Sequence, residues 1–156
     1  MRAVAQRVAR ARVTVAGELV GEIGPGLLVF VGVGPGDNLV TARHLASRLA
    51  SLRAFPDADG RMNVSLLERS GAALIVSQFT LYADLSRGHR PSFIGAGRPD
   101  LGRELCAAVA QELRTLGVVT VAEGTFGAHM QVESLNDGPV TIVATTAEGP
   151  WDADCG

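Results

Sequence analysis

Residues 24–33, GPGLLVFVGV, contain an unbroken apolar run from Leu27 to Val33 that follows a Gly-Pro-Gly turn. A strand with one solvent face alternates between apolar and polar residues, so this run predicts a central strand that is covered on both faces. A second run of this kind, Ala72–Val76, leads into Ser77-Gln78-Phe79-Thr80. Polar residues at the end of a buried strand indicate a candidate site.

The segments around the first run predict a hairpin and a helix. Residues 1–15 and 19–23 are typical of two antiparallel strands joined by a turn at Ala16-Gly17. Leucines at helical spacing predict a helix at 39–52, and the short polar side chains of Asp37-Asn38 are suited to cap its first amide groups.

The C-terminal half predicts a second helix and two strands. The helix spans Leu101–Leu116, with Asp100 as its N-cap and Gly117 just past its end. Apolar and polar residues alternate over 126–133, which predicts a strand with one buried face, and residues 140–145 supply the last strand. The elements together predict an α+β fold with one sheet and two helices.

The length and composition predict one domain. The 156 residues, 47% of them hydrophobic, can form a core without a disulfide. We expect this domain to span 1–146 and residues 147–156 to form a loosely held C-terminal extension, because that acidic tail has no periodicity.

Charge, hydropathy and cysteine content exclude several classes of protein. All fourteen basic residues are arginine, and the net charge of −2 argues against a general polyanion binder. The arginines at 2–12 and at 87–90 still allow a local contact with the end of a nucleic acid. The chain lacks a membrane-length apolar stretch, and its two cysteines lack metal-ligand spacing. We expect a cytoplasmic protein with no membrane partner, no DNA partner, no metal and no cofactor.

The candidate site does not match a common catalytic arrangement. Ser77 and Thr80 need a base to act as nucleophiles, and no His or Asp follows in a nucleophile-elbow pattern. Residues 32–37, GVGPGD, lack the lysine of a phosphate-binding loop, which favours a tight strand-to-helix turn. Residues 136–141, NDGPVT, are compatible either with an ordinary turn or with a cis Gly138-Pro139 bond.

Residues 77–81, SQFTL, and 136–141, NDGPVT, resemble the two signature motifs of the D-aminoacyl-tRNA deacylase family. The similarity extends from Met1 to about Thr145 and includes the segments MRAVAQRV, GHRPSF and FGAHMQVE. The resemblance implies a compact, β-barrel-like sheet of mixed strands with two packed helices. It also implies a two-fold homodimer whose active sites lie at the interface.

The resemblance further implies an ester hydrolase that removes D-amino acids, or mischarged glycine, from the 3′-terminal adenosine of tRNA. The residues implied in catalysis are Ser77, Gln78, Phe79 and Thr80. The tRNA 2′-hydroxyl would assist hydrolysis and backbone amides near Phe79 would stabilise the oxyanion. A covalent role for Thr80 is the alternative.

Selectivity is implied to come from Gly138-Pro139, a Gly-cisPro element that reaches into the pocket of the partner. Its two parallel carbonyls would bind the amino group of a D-residue and exclude an L side chain. Arg7 would brace this loop, with Met130 close to it on a buried strand face.

Two departures and two alternative functions stay open. Residues 85–90, LSRGHR, lack the lysine that is frequent in the family, and the acidic tail has no family counterpart. A small-molecule Ser/Thr esterase would hydrolyse simple D-amino acid esters that lack ribose. An inactive RNA-end-binding dimer would bind charged tRNA without releasing the amino acid.

Overall fold

The structure is a computed structural model that describes residues 1–146, so the predicted C-terminal extension at 147–156 lies outside the described residues. The described elements, in chain order, are β1 (Arg2–Val15), β2 (Glu18–Ile23), β3 (Gly26–Gly32), α1 (Leu39–Ser51), β4 (Phe55–Pro56), β5 (Met62–Val64), β6 (Ala72–Ser77), a 3₁₀ helix (Phe79–Tyr82), α2 (Pro99–Thr115), β7 (Thr120–Glu123) and β8 (Met130–Thr145). The predicted hairpin at the start of the chain is confirmed as β1 and β2.

The main sheet is mixed and nearly closed. Its strands follow the order β2-β1-β3-β6-β7. The remaining strand, β8, lies outside this order and pairs with β1. β1 pairs antiparallel with β2, β3 and β8, whereas β6 is parallel to both β3 and β7. The first and last strands of this order, β2 and β7, lie against each other. A Cβ added at Gly21 of β2 would lie only 2.6 Å from the carbonyl oxygen of Glu123 in β7. The predicted barrel-like mixed sheet is confirmed.

The central strand β3 is buried on both faces, as its unbroken apolar run predicted. Leu27, Val29 and Val31 belong to a core cluster between the sheet and the two helices. Leu28 belongs to a second cluster inside the barrel, and Phe30 packs against it. Because side chains alternate along a strand, one run of residues contributes to both halves of the core.

The first helix begins as predicted. The side-chain oxygen of Asn38 accepts hydrogen bonds from the backbone amides of Val40 at 2.8 Å and Thr41 at 3.2 Å. The Thr41 hydroxyl in turn accepts from the Asn38 amide at 3.0 Å, which completes a capping box.

The second helix begins earlier than predicted, and Asp100 is not its N-cap. α2 starts at Pro99, and Arg98 occupies the N-cap position without a side-chain cap. Proline suits a first helical position because no intrahelical acceptor is available there for an N–H. Asp100 lies in the first turn, 3.3 Å from Arg98. Gly117 follows the helix with a φ of +103°, as expected for a helix C-terminus.

Neither helix, nor any other helix in the described part of the chain, is long and apolar enough to span a membrane.

The C-terminal strand differs from the prediction. We expected a strand from residue 126 and another from residue 140, but β8 is continuous from Met130 to Thr145. Residues 125–128 form a turn, in which the Ala128 amide donates to the Thr125 carbonyl at 3.2 Å. Pro139 does not end the strand. The pairing of β8 with β1 instead shifts in register around it, between the pairs Gln6–Thr141 and Val8–Asn136. Irregular pairing of this kind accommodates a proline.

Candidate active site

The predicted catalytic residues lie together on the segment that leaves β6. The Gln78 amide donates to the Val31 carbonyl at 2.7 Å, which fixes the chain as it turns away from the sheet. The Gln78 side-chain amide donates to the Thr80 hydroxyl in a short hydrogen bond. Ser77 and Gln78 are partly buried, whereas Phe79 and Thr80 are exposed.

The first backbone amides of the 3₁₀ helix can donate hydrogen bonds to a ligand oxygen. Phe79 and Thr80 begin the 3₁₀ helix, and the first amides of a helix have no acceptor within it. Such amides can stabilise an oxyanion.

Arg2 contacts the last two residues of the 3₁₀ helix, Leu81 and Tyr82. Nη1 of Arg2 donates to the Leu81 carbonyl at 3.0 Å, and the Arg2 guanidinium lies 4.5 Å from the centre of the Tyr82 ring. The Tyr82 hydroxyl is 3.4 Å from Oδ2 of Asp37, which also accepts from the Gly34 amide at 2.7 Å. The predicted tight turn before α1 is present, and its Asp37 contacts Tyr82, the last residue of the 3₁₀ helix.

The phenol of Tyr82 is held in its neutral form. Burial, followed by the negative charge of Asp37, raises the pKa of Tyr82 to about 12. Our sequence analysis missed Arg2, Tyr82 and Asp37 as parts of the site. Arg2 lies in the arginine-rich opening segment and Asp37 in the turn before α1, and no local pattern links either residue to Tyr82.

A cavity of about 550 Å³ opens beside Ser77, Gln78 and Phe79. Its walls are mainly apolar and include the rings of Phe93 and Phe126. The ring centres of Phe79 and Phe93 are 5.0 Å apart with the planes at 72°, an edge-to-face contact. Arg98 and His129 also line the cavity, and the result is a pocket suited to an organic ligand with an apolar body and polar edges.

Cys106 forms part of the cavity wall but is not a suitable nucleophile. Its Sγ lies 3.9 Å from the Val31 carbonyl oxygen and is buried. Burial, and then the charge of Glu123, raises the pKa of the Cys106 thiol to about 12. Since the thiolate is the reactive form, this side chain acts as a small apolar group.

Arg7 forms a hydrogen bond with the second motif. Nε of Arg7 donates to the Asp137 carbonyl at 2.8 Å and Nη1 donates to the Ala54 carbonyl at 2.7 Å. The Gly138-Pro139 peptide bond is cis. Gly138 has a φ of +141°, a conformation that L side chains rarely adopt.

The two motifs of one chain lie apart. Gly138-Pro139 is not among the residues that line the cavity beside Ser77. In the sheet, Arg7 pairs with Leu27, whereas Ser77 pairs with Val31. These two positions are four residues apart on β3, or roughly 13 Å at the usual rise of a strand.

Met130 lies with the first motif and not with Arg7, so its predicted proximity to Arg7 is wrong within one chain. β8 runs antiparallel to β1, which places Met130 opposite Val15. Val15 is the last residue of β1, whereas Arg7 lies near the middle of that strand. Met130 instead lines the cavity and packs against the barrel core.

Within residues 1–146, no three His, Cys, Asp or Glu side chains come together in an arrangement that could hold a metal ion. His44 lies on α1, His89 in the loop before α2 and His129 just before β8, so each histidine is on a different part of the fold.

Comparisons with known proteins cover both motifs. The family model described as D-Tyr-tRNA(Tyr) deacylase matches residues 4–145. A protein of Deinococcus radiodurans named D-aminoacyl-tRNA deacylase is 58% identical over 142 residues, which are 91% of this chain and 97% of that protein. Another protein of that name, from Roseiflexus sp., is 55% identical over 147 residues, which are 94% of each chain.

Solved structures share the fold over nearly the whole described chain. The structure titled c-Myc DNA Unwinding Element Binding Protein has a TM-score of 0.89 and 35% identity, and the match covers 95% of this chain and 100% of that one. A probable eukaryotic D-amino acid tRNA deacylase has a TM-score of 0.80 and 18% identity, covers 92% and 97% of the two chains, and shows the fold alone. From the family match over both motifs and the identity with these relatives, the chain belongs to the D-Tyr-tRNA(Tyr) deacylase family.

Proposed function

We propose that this protein is a cytoplasmic D-aminoacyl-tRNA deacylase. It hydrolyses the ester that joins a D-amino acid, or mischarged glycine, to the 3′-terminal adenosine of tRNA. The observation that carries the proposal is the Ser77–Thr80 segment, which lies beside an apolar cavity in a chain that matches the family over 4–145. The apolar walls and polar edges of the cavity suit a terminal nucleoside that carries an amino acid.

The chemistry is proposed to use the substrate's own 2′-hydroxyl. Among the described residues, no histidine or carboxylate forms a hydrogen bond with Ser77 or Thr80, and the Thr80 hydroxyl accepts one from Gln78. A hydroxyl without a base is a weak nucleophile at neutral pH. The amides near Phe79 stabilise the oxyanion and the cavity orients the ester. Covalent attack by Thr80 is the alternative mechanism.

The selectivity is proposed to need two chains. Gly138-Pro139 lies away from the cavity of its own chain, and β8 leaves Leu135 48% and Val143 64% exposed. A second copy packed along β8 in a two-fold homodimer brings its Gly138-Pro139 to the cavity, near Met130. The Arg7-braced backbone carbonyls then bind the amino group of a D-residue and leave no room for an L side chain. Glycine, which has no side chain, is accepted.

The function is tested by hydrolysis of matched D-aminoacyl-, L-aminoacyl- and glycyl-tRNA by the purified protein. We expect rapid release of D-amino acid and glycine, with the L-ester left intact. Equal rates on D- and L-esters would contradict the selectivity. A high rate on a D-amino acid ester lacking ribose would favour a small-molecule esterase. Tight binding of charged tRNA without any release would favour an RNA-end-binding protein.

A further inference from the structure

The side chains of four arginines in residues 1–146 have no hydrogen bond, ion pair or aromatic contact: Arg10, Arg61, Arg87 and Arg90. Arg10 lies beside Glu22 and Glu133 in a small cavity, and Arg61 follows the turn before β5. Arg87 and Arg90 differ from these because they share one exposed loop. We call residues 85–91 the arginine loop.

The arginine loop is a closed turn. Asp84 and Ser92 exchange two backbone hydrogen bonds, of 2.8 Å and 2.9 Å, at its base. The Asp84 carboxylate also accepts from the Ser86 amide at 2.9 Å, and hydrogen bonds with Ser86 lower the pKa of Asp84. Gly88 allows the turn with a φ of +124°. The only carboxylate in the loop and its base is thus occupied by a backbone amide, not by an arginine.

The loop lies at the edge of the candidate active site. Its base at Ser92 continues directly into Phe93, which lines the cavity and contacts the ring of Phe79. Arg90 is three residues before Phe93, so their Cα atoms are at most about 11 Å apart. A molecule that fills the cavity and continues past Phe93 therefore runs toward Arg90, and Arg87 lies on the same short loop.

On the basis of the proposed function, we infer that Arg87 and Arg90 bind phosphate groups of the RNA strand that precedes the terminal adenosine. Only the last nucleotide carries the ester, so the preceding phosphates must leave the cavity at its mouth. A guanidinium group matches a phosphate with two parallel hydrogen bonds. In a chain of net charge −2, two unpaired arginines at this position provide local attraction for a polyanion without general affinity for nucleic acids.

The test compares two substrates and three variants. The substrates are a D-aminoacyl-tRNA and the matching D-aminoacyl-adenosine, which has the ester but no preceding phosphate. The variants are Arg87→Ala, Arg90→Ala and, as a matched control, Arg61→Ala, which removes an exposed and unpaired arginine elsewhere. For each protein, kcat/KM is measured at several salt concentrations.

We expect each loop variant to show a several-fold lower kcat/KM on tRNA at low salt. The slope of log kcat/KM against log salt concentration should become less steep by about 0.7 for each phosphate that an arginine no longer neutralises. Both loop variants should match wild type on D-aminoacyl-adenosine, and Arg61→Ala should match wild type on both substrates.

Loop variants that behave like Arg61→Ala on tRNA would overturn the inference while leaving the proposed function intact. So would an equal decrease on both substrates, because it would indicate a structural effect on the cavity. A wild-type protein that hydrolyses neither substrate would overturn the proposed function and this inference together. Loop variants whose only defect is weaker binding of an acidic protein partner would assign the loop to protein binding instead of RNA binding.

Discussion

Arg7 donates a hydrogen bond from Nε to the carbonyl oxygen of Asp137 over 2.8 Å, and this contact ties β1 to the residue before Gly138-Pro139. Arg7→Ala should destabilise the protein, since hydrogen bonds that involve a charged group contribute about 1.5–3 kcal/mol each. It should also raise the rate on L-aminoacyl-tRNA relative to the D-ester. Urea unfolding and the two hydrolysis rates measure these effects.

The control for Arg7 is Arg12→Ala. Arg12 pairs with Glu133 at 2.8 Å, but the two side chains are 51% and 62% exposed. Exposed pairs contribute about 1 kcal/mol or less, so this variant should keep its stability and its selectivity. If both variants were destabilised equally, the loop would not depend on Arg7 in particular.

Gly138→Ala should disturb the second motif, whereas Gly24→Ala should not. A Cβ at Gly138 would lie 2.7 Å from Cγ2 of Val140 and 3.0 Å from Nη2 of Arg7, at a φ of +141°. A Cβ at Gly24 meets nothing within 4 Å. An alanine in an incompatible conformation costs more than the roughly 0.4–1 kcal/mol that it contributes at a compatible one. We expect a lower urea midpoint and weaker D-over-L selectivity for Gly138→Ala only.

Ser77→Ala and Thr80→Ala should each retain substantial deacylation if the tRNA 2′-hydroxyl assists the reaction. A substrate with a 2′-deoxy terminal adenosine and the amino acid on the 3′ position should bind but turn over very slowly. Removal of a true covalent nucleophile costs roughly 10⁶-fold in kcat. Single-turnover kinetics distinguish the two mechanisms. A folded but inactive Thr80→Ala, together with normal turnover of the 2′-deoxy substrate, would require the covalent mechanism.

Two variants with different defects should restore selective hydrolysis when they are mixed, if each site uses both chains. One variant alters the catalytic segment, such as Phe79→Ala, and the other alters the selectivity motif, such as Gly138→Ala. After subunit exchange, mixed dimers contain one site with both defects and one with neither, so about a quarter of the sites become intact. Selective hydrolysis of D-esters should recover to that level. No recovery in a confirmed mixed dimer would show that each site belongs to one chain.

The chain has a single tyrosine, so the titration of Tyr82 can be followed directly by phenolate absorbance. Its pKa of about 12 exceeds the unfolded value of 10.0, which means that the folded state favours the neutral phenol. The resulting stabilisation is fully present below pH 10 and is lost as pH rises through about 12. Phenolate should therefore appear near pH 12 in rapid pH jumps that precede unfolding.

Asp37→Asn provides the control for this titration. The charge of Asp37 is the second cause of the raised pKa of Tyr82, after burial. The variant should shift phenolate formation to a lower pH without bringing it to the unfolded value. An unchanged titration would mean that burial alone holds the phenol neutral.

Local sequence patterns predicted the elements whose signals are local. The apolar run of β3 identified a strand with two buried faces, and Asn38 identified the start of α1. Asp100 failed as an N-cap because Pro99 can itself occupy the first helical turn. Asp100 instead forms an ion pair with Arg98. A carboxylate at the start of a helix can either cap the helix or form an ion pair, and the spacing of residues in the sequence does not tell the two apart.

Features that depend on distant pairing could not be predicted in the same way. β8 continues past Pro139 because β1, more than a hundred residues earlier, supplies its hydrogen-bond partners. The register of that pair also decides that Met130 lies opposite Val15 and not beside Arg7. The contact of Arg2 with Leu81 joins residues 79 positions apart in the chain, and no short-range pattern predicts it.

β1 contains both Arg2, which holds the Leu81 carbonyl, and Arg7, which holds the Asp137 carbonyl. Adding or removing one residue between them would turn the following side chains to the opposite face of the strand and release one of the two carbonyls. Natural variation in chain length should therefore be absent from this stretch of β1. The arginine loop, closed at its base by Asp84 and Ser92, can change in length without moving either arginine of β1. Members of this family should accordingly vary in the length of the arginine loop while keeping the spacing of the two arginines on β1.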